Sequence, residues 1–512
     1  MKSKTMSRRQ FLRYMGYGGI ILTGGQLISA CQPFSSTQTT PVVQGDPDVE
    51  IRLVAKPGEQ QIFPGASTDV WRFHAEVIQG PPDSIITLPD TYLGPIFNLQ
   101  KGAHLRVHFE NELPEEVSIV HWHGLHVPQE ADGHPRFVIQ TGETYTYDFK
   151  IMDRAGTYWY HPHPHGRTGP QVYAGMAGLF LIHDEAESEL DLPTGENDQL
   201  LVIQDRSFDE QNQLVYNTVG MMNQIVGMLG DQIFVNGRPD YVLKANRGAY
   251  RLRILNGSNS RIYKLAWEDG TPLQVIGTDG GLLEEPQMRD YVTLAPAQRV
   301  ELWVDFDAWD AGQTVRMVNL PSSAPDGGQK FSIFTAEIQN TQGTPRSLPQ
   351  NFPAHEALDP AQAVNADNPR EFALQMGMGM AWTINNRQFE MTDVADDEKV
   401  RLGDVEIWEF VNEVDGGMGM MAGVAQPHPM HIHGLQFKII DRQIDPDERE
   451  RYQTLQEGFV DEGWHDTVLV MPGERVRVLM KFTDYAGLYV YHCHNLEHED
   501  MGMMRNYRVE NG

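Results

Sequence analysis

Residues 492–503 read His-Cys-His-Asn-Leu-Glu-His-Glu-Asp-Met-Gly-Met. A thiolate at Cys493, an imidazole five residues on at His498 and a thioether ten residues on at Met503 can ligate one copper. They make up the blue-copper donor set except for a second imidazole. The chain around Cys493 must be extended for this stretch to use all its donors. In a strand, successive side chains alternate, so His492 and His494 share one face and Cys493 takes the other. One short peptide then wires a copper on one side to copper ions on the other. That suits a device that takes electrons singly and delivers them to a cluster.

The remaining imidazoles lie elsewhere. His428-Pro-Met-His431-Ile-His433 places His431 and His433 on one strand face and leaves His428 offset, as a candidate partner for Cys493. His121-Trp122-His123 and His161-Pro162-His163 are two further pairs at strand spacing. Four His-x-His pairs supply eight imidazoles, and His428 and His498 make ten. Eight is what a three-copper cluster needs, with two ligands on one ion and three on each of the others; copper accepts imidazole readily. A single pair reads more readily as an ordinary strand with two surface histidines. Four pairs together with a correctly spaced Cys and Met do not.

At these residues the chain resembles the three-domain multicopper oxidases, the superfamily of laccases, bilirubin oxidases and bacterial cuprous oxidases. Tyr160-His161-Pro162-His163-Pro164-His165-Gly166, Thr278-Asp279-Gly280-Gly281-Leu282 and Trp464-His465-Asp466-Thr467-Val468 carry the resemblance further. Leu496 to Met504 is most similar to the periplasmic cuprous oxidases. The resemblance runs from about residue 50 to the end. It implies an all-β chain of three consecutive cupredoxin-like Greek-key β-sandwich domains. It also implies four copper ions per chain. His428, Cys493, His498 and axial Met503 would hold the type 1 ion, and His121 and His431 the type 2 ion. His123, His161 and His494 would hold one type 3 ion, and His163, His433 and His492 the other. Met501 and Met504 stand close to Met503 as alternatives, and His165 is the easiest histidine to misassign. Asp132, nine residues past His123, and Glu499 match acidic residues assigned to proton delivery in the family. Reduction of O2 to two waters consumes four protons with four electrons, and positioned carboxyl groups can relay them.

The pattern along the chain agrees with an all-β reading. Alternating apolar runs such as His104 to Phe109, Tyr145 to Phe149, Tyr250 to Leu255, Val300 to Val304 and Arg475 to Lys481 are separated by Gly, Pro, Asn and Asp. Long amphipathic helical patterns are scarce. We expect domains at residues 46–187, 188–345 and 370–512, with a linker at 346–369. The first then holds four of the histidines, the last holds six with Cys493 and Met503, and the middle one holds none. The cluster is expected between the first and last domains, with the middle one as spacer.

Residues 1–30 read as a signal peptide, with the twin-arginine motif Ser7-Arg8-Arg9-Gln10-Phe11-Leu12-Arg13 ahead of an apolar, Gly-rich stretch. Leu27-Ile28-Ser29-Ala30-Cys31 resembles a lipobox, so Cys31 is a candidate for lipid attachment; plain cleavage near Ala30 is the alternative. Residues 31–45 form a polar tether. The expected location is the periplasm or cell surface, reached in folded form. With Cys31 lipidated and Cys493 on copper, the two cysteines of the chain leave no disulfide. The formal net charge is −30, and the signal holds five basic and no acidic residues, leaving about −35. Such a surface argues against nucleic acid as a partner. A monomer acting on O2 and a small reductant is expected.

The reductant is less constrained. Met376, Met378 and Met380 alternate with glycine, and Met418, Met420 and Met421 lie upstream of His428. Thioethers suit Cu(I), but methionine also serves as adaptable packing. Cuprous oxidases carry an acidic residue shortly before the first type 1 histidine; here Asp415 stands thirteen residues upstream. The residues therefore admit a cuprous or other metal oxidase and a laccase-like phenol oxidase. A copper nitrite reductase and a non-catalytic cupredoxin scaffold are more distant alternatives. The first would not need four His-x-His pairs, and the second would have lost ligands.

Overall fold

The computed structural model describes residues 43, 45–218, 220–322, 329–343, 345–377, 381–414 and 425–512. Its strands form six sheets that combine in three pairs along the chain. Alternation explains the strands. In His104–Asn111 every second residue from Leu105 onward is buried, and Glu474–Lys481 begins with the same alternation. All five of the alternating runs singled out in the sequence lie in strands. Helices are short, the longest described α-helices being the six-residue Thr168–Tyr173 and Met221–Val226.

Each pair of sheets repeats one connection. In one sheet an early strand runs parallel to a later one: Val49–Gln60 with His104–Asn111, Asp198–Arg206 with Ala249–Asn256, and Arg370–Met376 with Val405–Val411. In its partner sheet the same happens for Ile96–Gln100 with Gly178–His183, Val242–Arg247 with Phe331–Gln342, and Lys399–Arg401 with Met504–Glu510. Parallel neighbours cannot be joined by a tight turn, so the chain crosses between sheets, as a Greek-key sandwich requires. Apolar side chains from both sheets of a pair share one core. Leu105, Trp122 and Phe180 belong to the first, Leu252, Leu265 and Phe334 to the second, and Phe410, Tyr491 and Cys493 to the third. The fold is thus all-β, with three cupredoxin-like sandwiches in sequence.

Two strand pairings bring the histidine-bearing segments together. Val120–His123 pairs with Gly156–Pro162, setting His121 opposite His161. His428–Ile432 pairs with Gly487–Cys493, setting His431 opposite His492 and Met430 opposite Cys493.

Candidate metal centre

Eight imidazoles from the two ends of the chain meet in one cluster, none more than 1% exposed. His121 Nε2 lies 3.2 Å from His431 Nε2, and His161 Nε2 lies 3.4 Å from His494 Nε2. His492 Nε2 stands 3.2 Å from His163 Nε2 and 3.1 Å from His433 Nε2. The outer nitrogens explain what these contacts are. His121 Nδ1 faces the Asp132 carbonyl at 2.6 Å, His431 Nδ1 the Asp466 carbonyl at 2.7 Å and His161 Nδ1 the Pro162 carbonyl at 2.8 Å. A carbonyl can only accept, so in each ring Nδ1 carries the proton and Nε2 turns a lone pair inward. The lone pairs of His121 and His431 therefore oppose each other across 3.2 Å. A bound cation turns that repulsion into attraction, and the outer hydrogen bonds are those that orient metal-ligating histidines. The residues fit a metal cluster.

His123 reaches inward with its other nitrogen. Its Nε2 is held by Asp466 Oδ1 at 2.9 Å, while its Nδ1 is buried without a partner. Its ring lies 5.0 Å from that of His494 and 5.7 Å from that of His161. Donor atoms also converge in the groups His163/His433/His492 and His121/His431/His433.

Burial favours the neutral form of seven of these rings. It pushes His121, His123, His431, His433 and His494 well below the ordinary range, His161 down to about 3 and His163 to about 4. Metal ligation needs that neutral form. In the copper-free protein the same burial makes stability depend on pH. Unfolded imidazoles take up protons near pH 6.5, whereas these folded ones resist until lower pH. Stability is therefore undiminished above about pH 6.5 and falls below it, by up to about 1.4 kcal/mol per pH unit for each such ring. Thermal melts of metal-free protein at about pH 7.5 and about pH 5.5 should show the lower Tm at the lower pH. Equal Tm values would contradict the buried neutral cluster.

Cys493 occupies the opposite face of the same strand. Its Sγ lies 3.4 Å from His428 Nδ1 and 3.6 Å from His498 Nδ1, and the two nitrogens are 3.3 Å apart. The His498 ring donates from Nε2 to the Ile225 carbonyl at 2.7 Å, so its Nδ1 also presents a lone pair. Met503 is fully buried in the same core, and its backbone brackets the site. Its carbonyl accepts from Cys493 N, and its N donates to the His498 carbonyl, both at 3.0 Å. Met504 packs in a different core with Phe389 and Val490, and Met501 is partly exposed. His165 is exposed beside Phe389. Burial pushes the Cys493 thiol far above its ordinary range. A metal cation overcomes that, because a coordinating thiol loses its proton.

Asp132 and Glu499 are among the carboxyl groups that border the cluster. Asp132 is fully buried, accepts from His433 Nδ1 at 2.8 Å through Oδ2, and leaves Oδ1 without a partner. Burial raises it well above the ordinary carboxylate range, with Arg136 acting weakly against that. It sits there because Gly133 has φ +87; a Cβ at that position would collide with the Val120 carbonyl and stand 2.6 Å from His121 Cα. Glu499 accepts from Thr168 Oγ1 at 2.7 Å and lies 3.2 Å from His492 Nδ1 and 3.6 Å from His163 Nε2. Burial works against its anion, but His492 and His163 outweigh burial and hold it low. Two carboxyls with opposed tendencies at different corners of one site are suited to give and to take protons.

Several residues that orient the ligands escaped the sequence reading. Asp466 binds His123 through its side chain and His431 through its carbonyl. It is paired with Arg299, which also donates to the Thr157 and Asp279 carbonyls at 2.9 and 3.0 Å. The middle sandwich is thus more than a spacer. Arg299 clamps first and last sandwiches together, and Ile225 caps His498. The signal was present in the motifs around Asp279 and Asp466, but a buried ion pair between distant residues has no spacing rule. Of the methionine candidates, Met376 ends the Arg370–Met376 strand, partly buried. Met378, Met380, Asp415, Met418, Met420 and Met421 lie outside the described residues, as does Cys31.

Thiolate and imidazole donors suit copper, and a cupredoxin-like scaffold carries them. Comparison with known proteins names the family. Residues 70–187 and 363–512 each match a family model described as multicopper oxidase, and the chain belongs to that family. A laccase of Bacillus stratosphericus is 31% identical over 476 residues, spanning 83% of this chain and 90% of its own. The crystal structure of the McoA multicopper oxidase of Aquifex aeolicus matches with a TM-score of 0.77 at 35% identity, covering 91% of this chain and 97% of that one. A multicopper oxidase of Campylobacter jejuni, described as a metallo-oxidase, matches with a TM-score of 0.70 at 26% identity, covering 90% and 91%. The chain is a copper-dependent oxidoreductase whose electron acceptor is O2.

Proposed function

We propose that the chain oxidises a one-electron reductant at a type 1 copper on His428, Cys493, His498 and Met503. His121 and His431, then His123, His161 and His494, and then His163, His433 and His492 would hold three further coppers, which would supply the chemistry that reduces O2 to water. One observation carries this reading: the strand Gly487–Cys493 sets Cys493 against His428 and His498 on one face, and the next residues on either side, His492 and His494, join the imidazole cluster on the other. Bound copper supplies single-electron storage and a site for O2. The chain supplies the rest. Cys493 and its flanking histidines join the two sites covalently. Asp132 holds a proton beside His433, and Glu499, which accepts from Thr168, receives one beside His492. Asp466 and Arg299 fix the rings of His123 and His431. Metal analysis tests the assignment: about four coppers per chain supports it, whereas two would favour a nitrite reductase and none a scaffold.

The reductant is a small metal ion or a phenol. The metallo-oxidase description of one relative supports the first and the laccase name of another the second. Rates with Cu(I), Fe(II), Mn(II) and phenols on one preparation rank them. We read the protein as an exported monomer at the periplasm or cell surface, carried by the twin-arginine signal and anchored through Cys31. The three sandwiches are taken to meet near residues 187 and 345, with 346–369 as linker.

Met503→Leu should keep the blue colour and raise the potential of the type 1 site. A thioether donates weakly to the oxidised ion and stabilises it, whereas Leu donates nothing and nearly keeps the volume. Redox titration of both proteins decides; an unchanged or lowered potential would remove Met503 from the type 1 ligands.

A further inference from the structure

A donor that touched the Cys493 site through His498 would do so at Nε2, the ring nitrogen turned away from the sulfur. That nitrogen is already occupied by the Ile225 carbonyl. The carbonyls on either side are used in the same way. Gln224 O accepts from Trp382 Nε1 at 3.3 Å, and Val226 O accepts from Asn495 Nδ2 at 3.0 Å. Two residues on, Met228 N donates to Glu497 Oε2 at 2.9 Å. Three successive carbonyls and one amide thus dock on residues that surround or support the Cys493 site. The Ile225 side chain is only 2% exposed and shares a core with Cys493 and Met503. The Trp382 ring beneath the segment lies 4.3 Å from the ring of His498 and 4.9 Å from that of His428.

Gly227 is what lets the segment lie so close. Its φ is +91, and a Cβ there would collide with Ser260 Oγ and stand 2.7 Å from Asn495 Oδ1. A cavity of ≈ 200 Å³ opens on the outer flank, lined among others by Tyr216, Gln224, Glu497, Asp500 and Met501. Gln224 is the residue of the segment on its wall, and His498 does not line it.

We propose that the segment Gln224–Met228 selects the reductants of this enzyme, excluding donors that need contact with His498 and admitting those that pass an electron across it. The donor loses one electron and forms no bond to the chain; a phenolic donor also releases its proton to solvent. Discrimination against bulk results, because a large donor is kept out of the flanking cavity and held farther from the site. This inference rests on His428, Cys493 and His498 being the point of electron entry. That reading fails separately, if the parent protein loaded with copper shows no intense blue absorption.

The test uses the full copper-loaded chain with Gly227→Ala, which adds a Cβ where none fits, and Ile225→Ala, which withdraws the buried anchor without adding bulk. Amide exchange across residues 220–230 reports docking. Anaerobic bleaching of the blue band by a single-ring phenol and by a bulky polycyclic arylamine of matched potential reports selection. We expect the Met228 amide to exchange at least tenfold faster in both variants. The ratio of bulky to small donor rate constants should rise at least tenfold, and general loss of folded enzyme cancels in that ratio. A ratio within twofold of the parent value in both variants, despite faster exchange, overturns the proposal. So does unchanged exchange in Gly227→Ala, since the geometry leaves no room for the new side chain.

Discussion

Cys493→Ser should abolish the intense blue absorption and lower oxidation of every reductant at least about a thousandfold, equivalent to about 4 kcal/mol of barrier. The colour needs a copper–thiolate bond, and Cys493 is the only thiol within reach of His428 and His498 among the described residues. Ser nearly preserves the shape, so the strand Gly487–Cys493 and its neighbours remain in place. A hydroxyl in that apolar core lacks the strong partner a thiolate has in copper, at a cost of about 1–3 kcal/mol. That is a loss the folded chain can absorb. The eight imidazoles of the other site do not depend on the sulfur. Copper content should therefore fall by about one ion while the rest is retained. Absorption, metal analysis and turnover on one sample check the three parts together. A variant that kept its blue colour would remove Cys493 from the type 1 site, and one that lost all its copper would show the two sites to be a single folding unit.

Asp132→Asn should leave reduction of the blue site by its donor near the parent rate and slow reoxidation by O2 by about a hundredfold or more. The amide oxygen can still accept from His433 Nδ1, so the ring keeps its orientation. What disappears is the proton. Burial holds the Asp132 carboxyl well above the ordinary range, so it carries a proton under conditions where a surface aspartate would not. Glu499 is held low by its imidazole neighbours and cannot replace it as donor. Stopped-flow reduction and reoxidation separate the two half-reactions. Reoxidation at the parent rate would make Asp132 a structural turn residue that merely anchors His121 and His433. Slowing of both halves alike would point to displaced ligands instead.

The parts legible in the sequence are those with a period. Runs such as His104 to Phe109 announce strands because one face of a sandwich strand is buried and the other wetted. The His-x-His pairs are legible for the same reason, since metal ligands on one strand face must stand two residues apart. Asp132 and Glu499 were found through resemblance alone, and the structure supplies their reason in hydrogen bonds to His433 and Thr168. Asp466 and Arg299 were not singled out. Their pairing joins residues 167 positions apart, and no local pattern encodes such a contact. The cover over His498 was invisible for a different reason. Its working atoms are the carbonyls of Gln224, Ile225 and Val226, and every residue has a carbonyl. Only the glycine at 227 leaves a trace, and a lone glycine is too common to interpret.

On the proposed reading, one-electron oxidations at the Cys493 site are collected and spent together on O2 at the imidazole cluster. Simultaneous recording of O2 uptake and donor oxidation tests it most directly. Four equivalents of a one-electron donor should be oxidised per O2 consumed, with no hydrogen peroxide accumulating. Two equivalents per O2 with peroxide released, or donor oxidation without O2 uptake, would contradict it.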